Sequence, residues 1–164
     1  MPGIGARNSC YKFVPRGKDE FVQFRRPTFS ECKEVQAFVQ TIVDEVYGGI
    51  WSDPPVPIGS EDWSDSWIAV GLDGLIGVVL SRGEWVEDLW ISAPHRLQGV
   101  GSRLLGIAED EILQRGIRIA RLRVLSLNQN AIGFYGSRGW RVSGESPHER
   151  FPVLVTAMQK RLGL

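Results

Sequence analysis

The segment Arg96-Leu97-Gln98-Gly99-Val100-Gly101-Ser102 sets two glycines one residue apart where a strand pattern gives way to a helix pattern. The first turn of a helix has backbone N–H groups without intrahelical partners, and they add to the positive end of the helix dipole. Glycine lets an anion approach the backbone with no Cβ in the way. The chemistry on offer is capture of a phosphate or pyrophosphate. Leu97, Gly99, Gly101 and Ser102 are the expected N–H donors, and Arg96 adds charge or holds the turn. A tight turn of this kind also occurs without a ligand, and the two glycines alone do not separate these readings. Two other phosphate motifs are absent: GxxxxGK(S/T), and GxGxxG after a first strand.

Glu87 and Asp88 are adjacent carboxylates on the strand before the turn and are candidate general bases. Neighbours in a strand face opposite sides, so one of them should reach a cleft, and Glu87, which shares parity with Leu89 and Ile91, is the preferred base. His95 precedes the turn and His148 lies in a polar loop; neither is expected to be catalytic. Residues 50–66 mix Trp51 and Trp63 with Asp53, Glu61, Asp62 and Asp65. Aromatic faces and carboxylates together suit a cationic amine, which makes Trp51, Trp63, Asp62 and Asp65 candidate substrate-binding residues. The same residues equally suit a loop anchored by tryptophan and kept soluble by acids. Cys10 and Cys32 form no CxxC and have no histidine beside them, so no metal site and no disulfide framework is expected.

These residues need elements to hold them. Residues 1–20 read as a loose N-terminal arm. Phe21–Arg26 reads as a strand, and Thr28 with Glu31 has capping-box spacing. Val35, Phe38, Val39, Ile42, Val43, Val46 and Tyr47 then follow a helical repeat stopped by Gly48 and Gly49. Pro54, Pro55 and Pro57 make residues 50–66 a long loop. Trp67–Leu72 and Leu75–Leu80 read as a hairpin joined by Asp73-Gly74. A third strand runs from Trp85 to Ile91. The helix after the turn has Gly101, Leu105, Ala108 and Ile112 on its apolar face and ends at Gly116. Ile117–Leu125 is the next strand, so strand, helix, strand predicts a right-handed crossover with parallel outer strands. A short helix from Gln129 to Arg138 and strands at Trp140–Val142 and Phe151–Met158 complete the chain. The fold class is α+β: a mixed, mostly antiparallel sheet flanked by helices.

The chain has 164 residues and a formal net charge of zero. That length fits a single domain, residues 1–164. The charge lacks the basic surplus of a nucleic-acid binder. No run approaches the roughly 18 apolar residues of a membrane span, and the first residues lack a signal peptide's apolar stretch, so the expected location is cytoplasmic.

Two motifs carry a family resemblance. Pro94-x-Arg96-x-x-Gly99-x-Gly101 after a strand resembles motif A of the GCN5-related N-acetyltransferases. Downstream, Asn128-x-x-Ala131-x-x-Phe134-Tyr135-x-x-x-Gly139-Trp140 is similar to that family's second pattern. The resemblance covers about Trp67 to Leu162. It implies a GNAT-like fold with a central splayed parallel strand pair. It also implies a cofactor, acetyl-CoA, with its pyrophosphate on Arg96, Leu97, Gln98, Gly99, Val100, Gly101 and Ser102. The pantetheine arm would pair with Leu89 and Ile91, and Asn128 would lie near it. Tyr135 would lie near the sulfur and serve as the acid for the departing thiolate, while the N–H of Leu89 polarises the carbonyl. The implied activity is acetyl transfer to a primary amine, small and cationic or peptidic, by direct attack in a ternary complex. A non-catalytic acyl-CoA-binding module is the alternative. No residue decides between monomer and homodimer.

Overall fold

The computed structural model describes residues 11–13 (backbone only), 21–48 and 61–163. The elements are β1 (Tyr11–Phe13), β2 (Val22–Arg25), α1 (Cys32–Tyr47), β3 (Trp67–Gly71), β4 (Gly74–Arg82), β5 (Trp85–Ile91), α2 (Val100–Gln114), β6 (Ile119–Leu125), α3 (Gln129–Gly136), β7 (Arg141–Pro147) and β8 (Leu154–Arg161). The strands order as β1-β2-β3-β4-β5-β6-β8-β7. The β5–β6 pair is parallel, and β1–β2, β2–β3, β3–β4, β6–β8 and β7–β8 are antiparallel. This is the expected mixed α+β sheet. The segment read as a loose arm contributes a strand, β1. The hairpin turn is Leu72-Asp73, because Gly71 pairs with Gly74; Gly74 itself takes φ +110°.

Two compact units divide the chain: residues 1–80 with 88–107, and residues 81–87 with 108–164. In the first, α1 buries Val35, Val39, Ile42 and Val43. Burial is worth about 1.5–3 kcal/mol for each fully enclosed aliphatic side chain, which is why the 3.6-residue period is so legible here. The helix start is braced by Glu31. Its carboxylate accepts both Arg25 guanidinium nitrogens at 2.8 Å and the Thr28 N–H at 2.7 Å. The Arg25 hydrogen bonds first, then the Thr28 N–H, lower its pKa from 4.5 to about 2. Only the Glu half of the expected capping box forms.

In the second unit, β6 and β8 pair from Ile119↔Arg161 to Leu125↔Val155. Ala120, Leu122 and Met158 are buried, as are Ala108 and Ile112 of α2. Glu109 of α2 accepts the Trp140 indole N–H at 2.9 Å and the Lys160 ammonium at 2.8 Å. β7 is far longer than the Trp140–Val142 expected, and every residue in it is exposed.

Candidate functional site

The turn after β5 is built by local chemistry. Ser92 N–H donates to the Ile76 carbonyl at 3.0 Å, and Ala93–His95 form one short helical turn with Pro94 inside it. The Ser92 hydroxyl meets His95 Nδ1 at 2.8 Å, so His95 serves the turn. Arg96 donates from Nε to the Ile91 carbonyl at 3.0 Å and lies 3.3 Å from Glu45 of α1. Of its two expected roles, holding the turn is the one visible in its contacts. Gln98 Nε2 donates to the Pro94 carbonyl at 3.0 Å, and its Oε1 is buried without a partner.

Leu97 then adopts φ +62°, the left-handed conformation that side chains disfavour, and Gly99 follows at +90°. The first helical bond runs from Arg103 N–H to the Gly99 carbonyl at 3.1 Å. Among the described residues, the N–H groups of Leu97, Gln98, Gly99, Val100 and Gly101 have no acceptor. A fully exposed leucine held in strained backbone beside unpaired amides is a cost of roughly 1–3 kcal/mol that the surroundings must sustain. The donor set suits a diphosphate: neutral N–H groups at a helix start, with no side-chain carboxylate of the turn itself among them.

Gly77 of β4 lets this corner close. A Cβ there would lie 2.8 Å from Ile91 Cδ1 and 2.9 Å from Leu104 Cδ1. β5 carries Leu89 and Ile91, and its parallel ladder with β6 comprises Trp85↔Arg121 and Val86↔Leu122.

The two β5 acids differ in surroundings. Glu87 is exposed and pairs with Arg82 at 3.0 Å. Asp88 is half-buried and accepts the Trp90 indole N–H at 3.0 Å. Its carboxylate lies within 4.8 Å of that of Glu61. Trp90 meets Tyr47 edge-on, with ring centroids 6.2 Å apart. Trp90 and Tyr47 were not read as site residues. Parity with Asp88 along the strand was the available signal for Trp90; nothing local signals Tyr47, which reads as the end of a helix face.

Three of the four expected acceptor residues, Asp62, Trp63 and Asp65, belong to one short helical turn and its cap. Trp51 lies outside the described residues. Trp63 is 2 % exposed and its indole N–H donates to Gln36 Oε1, so it anchors the segment and offers no face to a substrate. Asp62 caps a single helical turn, Trp63–Asp65, by accepting Ser64 N–H at 3.0 Å. The Asp65 carbonyl accepts from Arg26, whose guanidinium sits 4.7 Å over the Trp67 ring. On α3, Asn128 is the N-cap and accepts Ala131 N–H at 3.1 Å, which accounts physically for an Asn three residues before Ala. Tyr135 is buried, edge-on to Phe134 at 5.3 Å and Trp140 at 6.0 Å.

The family model described as the acetyltransferase (GNAT) family matches residues 36–140. That is more than half of the chain, and the chain belongs to this family. Among solved structures, the apo form of YjaB from Escherichia coli aligns with a TM-score of 0.66 at 23% identity, covering 87% of this chain and 99% of that one. Naa50 from Arabidopsis thaliana, in complex with the bisubstrate analogue CoA-Ac-MVNAL, aligns with a TM-score of 0.67 at 19% identity, covering 86% and 99%. These likenesses speak to the fold. A curated relative, thialysine N-epsilon-acetyltransferase of Sus scrofa, is 32% identical over 60 residues, 37% of this chain and 35% of that protein. The match therefore spans about a third of the relative's length. Among the described residues, no helix is long and apolar enough to cross a membrane.

Proposed function

We propose that this chain transfers an acetyl group from acetyl-CoA to a primary amine by direct attack in a ternary complex. The observation that carries the reading is the run of N–H groups from Leu97 to Gly101 that have no acceptor among the described residues, opened by positive φ at Leu97 and Gly99. Membership of the GNAT family supports it, as does the complex of Naa50 with a CoA-containing analogue.

The Arg96–Ser102 turn would hold the cofactor's diphosphate and the backbone of Leu89 and Ile91 its pantetheine arm. Acetyl-CoA supplies the acyl group as a thioester. The Leu89 N–H would donate to the carbonyl oxygen as charge develops there. An amine attacks only when neutral, and a lysine-like amine has a reference pKa near 10.4, so a proton acceptor is required. Glu87 and Asp88 are the two candidates. Glu87 already meets the charge of Arg82, whereas Asp88 accepts the neutral Trp90 indole N–H, a contact that leaves its charge uncompensated. We assign Asp88 to the acceptor's ammonium, with Trp90 fixing its carboxylate. The acceptor is then a cationic amine, small or peptidic, in keeping with the thialysine N-epsilon-acetyltransferase match. The Tyr135 hydroxyl would hold the proton for the departing sulfur.

A second reading, a non-catalytic acyl-CoA-binding module, draws on two observations. Asn128 caps a helix and Tyr135 packs between two aromatic rings, so both have structural work without catalysis. Free-thiol release from acetyl-CoA across an amine panel separates the two. Release that depends on a cationic amine is expected; coenzyme A binding with no release for any amine would favour the module.

A further inference from the structure

The sheet of the second unit has two unlike faces. Register places Trp85 beside Arg121, Arg121 beside Gln159, and Gln159 beside Arg141, in one row across β5, β6, β8 and β7. Partners in adjacent strands point to the same side, and side chains alternate along each strand. Arg123, opposite Ala157, and Ile119, opposite Arg161, therefore share that side. None of these residues is buried, whereas Ala120, Leu122, Thr156 and Met158 on the other side all are.

Four arginines stand on the open side: Arg121, Arg123, Arg141 and Arg161. Among the described residues none of them meets a carboxylate. Arg121 bonds Gln159 at 3.3 Å and Arg123 lies 5.0 Å over the Trp85 ring. Glu87, on the side of Trp85, is taken by Arg82. On the opposite face, by contrast, Lys160 finds Glu109. A cluster of like charges left open is a standing potential that complementary charge would relieve.

We propose that this face docks an extended acidic segment of a partner protein. Arginines two apart on a strand repeat every ~6.6 Å, which matches carboxylates at alternate positions of an extended peptide. Arginine forks pair carboxylates in bidentate fashion. Nucleic acid fits less well: the net charge is zero, and Trp85, the aromatic on this face among the described residues, already has Arg123 over its ring and offers a poor stacking platform.

The test is fluorescence anisotropy with a short labelled peptide carrying glutamate at alternate positions. Its glutamine counterpart and a single-stranded oligonucleotide of matched charge are measured alongside, at low salt and at about 0.15 M. The glutamate peptide should bind the wild-type chain and the Lys33→Gln variant alike. It should bind the Arg123→Gln/Arg161→Gln variant about tenfold or more weakly, as expected when rim charges steer association. The glutamine peptide should not bind. Arg141→Gln, measured separately, should weaken binding in the same direction. Circular dichroism confirms that each variant is folded. The proposal is overturned if the glutamate peptide fails to bind at low salt. It is equally overturned if the double variant binds as well as wild type, or if the oligonucleotide binds more tightly than the peptide.

Discussion

Arg96 reaches back from the turn that follows β5 to the Ile91 carbonyl, donating from Nε at 3.0 Å. The arginine thus links the end of β5 to the turn that follows, so that strand and amides are positioned as one piece. Replacing Arg96 by Met should weaken coenzyme A binding about tenfold, or ~1.4 kcal/mol, in line with loss of one charge-assisted hydrogen bond. Its partner Glu45 is 48 % exposed, and exposed ion pairs contribute little. Glu45→Gln should therefore leave titration calorimetry nearly unchanged, and a large effect there would mean that the ion pair, not the Ile91 link, is what matters.

Gly77 tests the packing beneath the same corner. A Cβ at 2.8 and 2.9 Å from two side-chain carbons forces Ile91 or Leu104 to move. Overpacking of this kind costs about 1–3 kcal/mol. Gly77→Ala should lower Tm and weaken coenzyme A binding together, because Ile91 precedes the turn. A wild-type Tm would show that the corner yields freely.

Stability should also depend on pH through Glu31. Its folded pKa, about 2, lies below its ordinary value of 4.5. The carboxylate therefore stabilises the fold fully above pH 4.5, and that contribution fades as pH falls toward 2. At neutral pH, Glu31→Gln should melt roughly 2–6 °C lower, with the gap closing in acid. A gap that persists at low pH would point to packing instead of charge.

Tyr135→Phe removes one hydroxyl and keeps the ring that packs against Phe134 and Trp140. Turnover should fall about 10²-fold with Tm and coenzyme A affinity preserved. Unchanged turnover would remove Tyr135 as the proton donor. Asp88→Asn should raise the amine KM more than Glu87→Gln does; the reverse order would return the acceptor to Glu87.

What could be read from the chain follows from physics that acts locally. The α1 face, the Gly99–Gly101 turn and the helix behind it have periodicity or backbone demands written in adjacent residues. β1 is three residues in a polar stretch, too short for any period to show. β7 buries nothing, so no apolar alternation marks its course to Pro147. Trp63 resembled a binding-loop aromatic because burial depends on what surrounds it, which a single chain does not reveal. The pairing of Asp88 with Trp90 was within reach of strand parity, but the arginine face was not, since it depends on register among four strands.

The most direct measurement is titration of coenzyme A into the wild-type chain and into Gly99→Ala, each shown to be folded. Gly99 holds φ +90°, so a methyl group there both strains the turn and crowds the amides. The expected result is a saturable one-to-one isotherm for wild type, weakened about tenfold or more in Gly99→Ala. An absence of heat from the folded wild-type chain, or equal affinity in the variant, would contradict the assignment of these amides to the cofactor's diphosphate.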